Sequence, residues 1–145
     1  MIYETSAGGV IVSFKNKKPS VLLLKDKTAH WTFPKGLIEQ GENREVTATR
    51  EIGEEVGIRN LKLIASLKPV RYFYKWDGEI RKKTVYYYLF QNGGSEHLTP
   101  QLEEGIMEVR WFDIEEAKKT IGYPKTNLMV LKEVEIKLQE IRNKS

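Results

Sequence analysis

Two wholly apolar runs near the start of the chain limit its architecture more than any other feature. Ala7-Gly8-Gly9-Val10-Ile11-Val12 and Val21-Leu22-Leu23-Leu24 show no polar alternation, so both faces of each must be covered. The stretch Lys15-Asn16-Lys17-Lys18-Pro19 between them has turn chemistry, which predicts two buried strands joined as a hairpin. A sheet buried on both sides needs helices above and below it. Two segments supply them: one from about Asn43 to Val56, closed by Gly57, and a tail where Leu131, Val134, Leu138 and Ile141 recur at helical spacing. Between these lie extended segments over Leu61 to Val70 and Arg71 to Trp76. After the Asp77-Gly78 turn signal comes the β-branched and aromatic run Thr84 to Phe90, and later Val109 to Phe112. Pro34 and Gly36 are expected to keep Trp31–Gly36 irregular. The expectation is an α/β (α+β) chain with one mixed sheet between helices, forming a single domain over 1–145.

Composition removes several kinds of chemistry. Without cysteine there is no disulfide, no thiolate metal site and no cysteine nucleophile. No apolar run approaches the roughly 18 residues that span a bilayer. The sequence from Met1 to Thr5 lacks a signal-peptide pattern, so a cytoplasmic protein with no membrane partner is expected. The net charge of +4 suits a polyanionic ligand. Lysine-rich turns that only keep a small protein soluble would give the same sum.

The segment from Asn43 carries the chemistry. At 100° per residue with Glu51 at zero, Glu54 falls at about 300° and Glu55 at about 40°, so the three carboxylates share a face. Val46, Thr49, Gly53 and Val56 fall at about 140° to 220°. That arc is expected to pack on the sheet, with Gly53 allowing close approach and the glutamates pointing away from the core. Like charges at these spacings cost roughly 0.2–0.5 kcal/mol per pair. Clustered carboxylate oxygens suit a hard divalent cation, Mg²⁺ or Mn²⁺. Taken alone, the cluster is equally a solvated acidic helix face.

The surrounding spacing goes further. From Gly36, five residues lead to Glu42 and seven more to Arg50-Glu51-Ile52, followed by Gly53-Glu54-Glu55-Val56-Gly57-Ile58. This resembles the Nudix box, G-x5-E-x7-R-E-U-x-E-E-x-G-U with U aliphatic, at every specified position. Ala7-Gly8-Gly9, the lead-in from Trp31 to Gly36, and Trp111-Phe112 ahead of Glu115-Glu116-Ala117 are similar to that family too. The resemblance implies a Nudix α/β/α sandwich and a hydrolase that cleaves phosphoanhydrides. It makes Glu51, Glu54 and Glu55 metal ligands, with the carbonyl of Gly36 as a further donor. Arg50 would orient the glutamates and Glu42 would support the loop and helix. Glu54 is the first candidate for general base, with Glu103 or Glu104 second.

Within the family, His30-Trp31-Thr32-Phe33-Pro34-Lys35-Gly36 and Lys83 to Tyr88 look like diadenosine tetraphosphate hydrolases. That likeness gives His30, Lys35 and Lys83 to substrate binding, the two lysines on the polyphosphate, and Tyr74 and Tyr123 to stacking an adenine. Trp31 and Phe33 are expected to plug the sheet edge instead. Three other readings stay open. One is a housecleaning hydrolase of nucleoside triphosphates or ADP-ribose, another an RNA 5′-end pyrophosphohydrolase, and the third a non-catalytic nucleotide sensor. Monomer and homodimer are both compatible with the sequence.

Overall fold

The long first strand organises the molecule by pairing with different partners along its two edges. A computed structural model describes residues 1–144. Strand β1 (Ile2–Ser13) runs parallel to β7 (Glu79–Gln91) from Ile2↔Arg81 to Val12↔Gln91. Its other edge is divided. Val12 and Ser13 pair with β2 (Ser20–Lys25), whereas Ser6 to Gly8 pair with β4 (Lys35–Leu37). Strand β2 then turns away to β8 (Glu108–Asp113) and β3 (Trp31–Thr32). The sheet therefore forks, and Trp31–Leu37 crosses the opening. Proline and glycine do not keep this segment irregular as expected; they confine it to two very short strands.

On its far edge β7 is likewise shared. Its second half pairs with β5 (Lys62–Ser66), and its first half forms a ribbon with β6 (Val70–Trp76) around Asp77-Gly78. Both turn residues have positive φ, as a two-residue hairpin turn of this kind requires.

Helix α1 (Arg44–Val56) covers one face of the sheet. Its start is set by the Asn43 side chain accepting from the Val46 N–H at 2.9 Å, and its end by Gly57 at φ 84°. Ala48, Ile52 and Val56 join Ala7, Ile11 and Phe90 in the core on that side. Helices α2 (Ile114–Thr120) and α3 (Pro124–Lys144) cover the other face, with Ala117, Val130, Leu131 and Val134 packed on Val10, Leu23 and Tyr87. This is the expected sandwich. Trp31 and Phe33 lie in this second core, in line with their expected role as a plug. None of the described helices is long and apolar enough to cross a membrane.

Three sequence expectations need correction. Strand β1 begins at Ile2 rather than near Ala7, because β7 offers it a long parallel partner. Helix α2 was not anticipated; Asp113 caps it by accepting from the Glu116 N–H at 2.8 Å. The packed arc of α1 is also rotated from the one expected. Val46 is exposed, while Thr47, Ala48, Glu51, Ile52, Gly53 and Val56 are buried. The stripe Ala48-Ile52-Val56 decides the rotation and draws Glu51 to the rim of the core. Gly53 faces Arg59 rather than the sheet, and the close approach is made at Gly9. A Cβ there would stand 2.5 Å from Ile52 Cδ1.

Candidate functional site

The fork in the sheet brings β4 and the rim of α1 together. Gly36 is the contact point. A Cβ on it would lie 2.1 Å from the carboxyl carbon of Glu51, so only a bare Cα leaves room for that carboxylate. Its neighbour Lys35 donates its backbone N–H to Glu55 Oε1 at 2.9 Å. The Lys35 side chain takes the opposite face, in the space left by Gly8, where a Cβ would meet Lys35 Cβ at 2.6 Å.

Arg50 is the hub on the other flank of α1. Its Nε and Nη2 donate to the two oxygens of Glu42 at 2.6 and 2.9 Å. Nη1 reaches Glu51 at 2.9 Å and Glu54 at 3.3 Å, and Nη2 also donates to the carbonyl of Leu37 at 3.2 Å. The paired hydrogen bonds from Arg50 hold Glu42 at about 2, far below the usual carboxylate value. Glu55 has no such partner. Burial, reinforced by the charge of Glu51, pushes its carboxyl up to about 8. Burial likewise raises Glu51, with Arg50 pulling the other way. Lys35 is lowered to about 8 by burial and by the nearby charge of Lys83, which burial also lowers.

Two clefts meet at Lys35. One, of about 240 Å³, brings Asp26, Thr32, Lys35, Glu55, Glu104 and Tyr123 together over an apolar floor of Leu24, Phe33 and Ile106. The other, of about 520 Å³, is walled by Val70, Tyr72, Val85 and Tyr87, and it shares Asp26, Thr32, Lys35 and Tyr123 with the first. A cavity of about 560 Å³ lies elsewhere, against Phe14, Pro19 and the end of α3, and none of the candidate residues lines it.

Tyr123, at the junction, is held in an unusual conformation. It precedes Pro124 with φ 51°, a region where a bulky residue is strained. The Tyr123 hydroxyl donates to Asp26 Oδ2 at 2.7 Å, and Asn127 secures the preceding turn through the carbonyl of Gly122 at 2.9 Å. Burial alone would raise Asp26. The hydrogen bonds from Tyr123, the His30 N–H and Thr28 outweigh it and hold the carboxyl below its ordinary value.

Among the residues singled out in the sequence, Lys35, Glu55, Glu104 and Tyr123 line the clefts, and Phe33, expected only as a plug, also lines the smaller one. Lys83 lies on the same face of β7 as Val85 and pairs with Tyr72, at the end of the larger cleft. His30 lines neither cleft. Its ring sits behind Tyr123, with centroids 4.8 Å apart. Tyr74, expected to stack the base, lines neither cleft: its hydroxyl donates to Glu4 one rung beyond the cleft wall, and the tyrosine of β6 that lines the cleft is Tyr72. Glu104 sits at the end of a 3-10 turn, Leu102–Glu104, from which its charge reaches Glu51 and Glu55; Glu103 lines neither cleft. The sequence reading missed Asp26, Tyr72 and Tyr87. The Asp77-Gly78 turn carried a usable signal, since a two-residue loop pairs Trp76 with Glu79 and hence Tyr72 with Lys83.

The donors around Glu51 and Glu55 fit a hard divalent cation. They are all oxygens, Gly36 keeps the space beside them open, and Glu55 is buried beside other carboxylates. As the side chains lie, no three carboxylates converge on one point among the described residues, because Arg50 engages Glu51 and Glu54.

Comparison with known proteins agrees with this arrangement. The NUDIX domain model matches residues 3–131. The chain is 36% identical over 129 residues to "Putative mutator protein MutT4" of Mycobacterium tuberculosis, covering 84% of this chain and 51% of that one. It therefore spans about half the length of that relative. It is 32% identical over 133 residues to mouse bis(5′-nucleosyl)-tetraphosphatase (asymmetrical), covering 90% of this chain and 84% of the relative. A crystal structure of a Caenorhabditis elegans Ap4A hydrolase binary complex superposes with a TM-score of 0.74 at 24% identity, over 94% of this chain and 98% of that one, a likeness of fold.

Proposed function

Because the chain belongs to the Nudix family, we propose that it is a pyrophosphohydrolase that splits diadenosine tetraphosphate into ATP and AMP with Mg²⁺ or Mn²⁺. The observation that carries this reading is the pair of clefts meeting at Lys35. One offers aromatic walls and the other carboxylates, so a base and the phosphate chain attached to it are served by adjoining surfaces. The naming of the mouse relative as an asymmetrical bis(5′-nucleosyl)-tetraphosphatase supports the substrate.

In this reading Glu51, Glu54 and Glu55 hold the cations, with the carbonyl of Gly36 as a further donor. When bound, they neutralise the phosphate oxygens and acidify a water. Arg50 keeps Glu51 and Glu54 at the helix rim until they are needed, its grip on Glu42 holding the guanidinium fixed. Lys35 and Lys83 carry positive charge to the phosphate chain. Their lowered values reflect burial that a polyanion offsets. Tyr123, propped by Asp26 and backed by His30, presents a ring to one face of the base, with Tyr72 across the cleft. Glu54, the most exposed carboxylate that Arg50 reaches on α1, accepts the proton from the attacking water, and Glu104 is the second candidate.

The test is a substrate panel of dinucleoside polyphosphates, nucleoside triphosphates, ADP-ribose and 5′-triphosphorylated RNA, run with and without Mg²⁺. We expect metal-dependent release of ATP and AMP, falling by about a hundredfold or more in Glu54→Gln if it is the base. A larger loss in Glu104→Gln moves that role to Glu104. Turnover confined to another member of the panel changes the substrate. Ligand binding without any hydrolysis replaces the enzyme with a sensor.

A further inference from the structure

The ribbon formed by β6 and β7 extends past the end of α1, so its outer face, continued onto β1, has no helix over it. Three residues from three neighbouring strands form a row there, with half-buried Lys82 between two exposed rings: Phe73 pairs with Lys82, and Lys82 with Tyr3. Tyr3 is 73% exposed and Phe73 60% exposed, and the Lys82 ammonium lies 5.7 Å from the Phe73 ring centre. The rows on either side add Lys75 beside Ile80 and Arg71 beside Thr84. Over the ribbon and the start of β1 no Asp or Glu occupies this face. Glu4 and Glu79 belong to the opposite one, and Asp77 is in the turn at the tip. Further along the same face of β7, the Arg44 guanidinium stacks 3.6 Å over Tyr86; Glu42 and Glu45 lie beside Arg44, so the carboxylate-free stretch stops at the start of α1.

We propose that this face binds a single-stranded polynucleotide, with bases stacked on Tyr3 and Phe73 and the backbone tracking Lys82, Lys75 and Arg71. Next-but-one strands are about 10 Å apart, which leaves room for one base on each ring and a phosphate over Lys82 between them. The absence of carboxylates and the interleaving of flat rings with cations favour this partner over an acidic protein, which would call for no spaced rings. The surface lies on the other side of the sheet from the larger cleft, shares no residue with either cleft, and does not depend on the proposed reaction.

The test uses fluorescence anisotropy of a 3′-labelled uridine oligonucleotide of about twelve residues with a 5′-hydroxyl, in EDTA. Thymidine oligonucleotide, duplex and phosphatidylserine vesicles serve as parallel arms. The expected dissociation constant is about 1–100 µM at about 50 mM salt, with a salt slope of about −2 from three phosphate contacts. Tyr3→Ala and Phe73→Ala should each weaken binding about tenfold, and Lys82→Ala should reduce the slope by about 0.7. Phe73→Ala should leave dinucleotide hydrolysis and the melting temperature unchanged. Preference for either single strand over duplex supports the proposal. It is overturned if neither single strand binds, if vesicles alone bind, or if Lys35→Ala abolishes binding while Phe73→Ala does not.

Discussion

Glu42 and Glu55 flank the same helix and are handled in opposite ways. Glu42 meets Arg50 through two charge-assisted hydrogen bonds and is ionised at any ordinary pH, its value near 2. Glu55 is buried beside Glu51, accepts a backbone N–H from Lys35, and is driven to about 8. One carboxylate is fully answered by the fold; the other waits for a charge the fold does not supply. The contrast separates a residue that holds the helix and loop together from one that, in the proposed reading, a cation would complete.

Three experiments break or sharpen that contrast. Arg50→Ala should have the largest effect. It strands Glu42 and Glu51 without their shared partner, and urea unfolding should show a loss of about 3 kcal/mol. A loss below about 1 kcal/mol would show that water replaces the guanidinium. Glu55 tests the other side. Its folded value lies above the ordinary 4.5, so the native state keeps a proton that the unfolded chain has released. Stability present below about pH 4.5 should therefore drain away as pH rises through about 8. In EDTA the wild type should lose stability steadily over that range, and Glu55→Gln should flatten the curve. Lys35, lowered to about 8, has the opposite slope, but only between about 8 and its ordinary 10.5. The smallest effect concerns Glu42. Its folded value is below the ordinary one, so its contribution is complete above about pH 4.5 and is lost as pH falls towards 2. Circular dichroism during acid titration should show that limb in the wild type and not in Glu42→Gln.

Residues with local consequences were legible in the sequence. Asn43 and Gly57 bound α1, and Asp77-Gly78 made the ribbon, because caps and tight turns are decided within a few residues. The helical wheel puts the buried face of α1 opposite the three glutamates, whereas the stripe Ala48-Ile52-Val56 sets that face and turns Glu51 inward. The fork in the sheet was beyond reach, since β4 exists only where β1 and β2 separate. Within the candidate site, Lys35 and Glu104 were found by position along the chain. Asp26 was not, because its role depends on Tyr123, almost a hundred residues away, folding back onto it.

The meeting of two clefts at Lys35 has a consequence for descent. The aromatic walls come from β6, β7 and the start of α3, while the glutamates come from α1 and the turn before β8. Mutations that reshape the walls leave the acidic helix as it was. A lineage built on this scaffold can exchange one cargo for another by small changes in the ribbon, without passing through ancestors that have lost the chemistry.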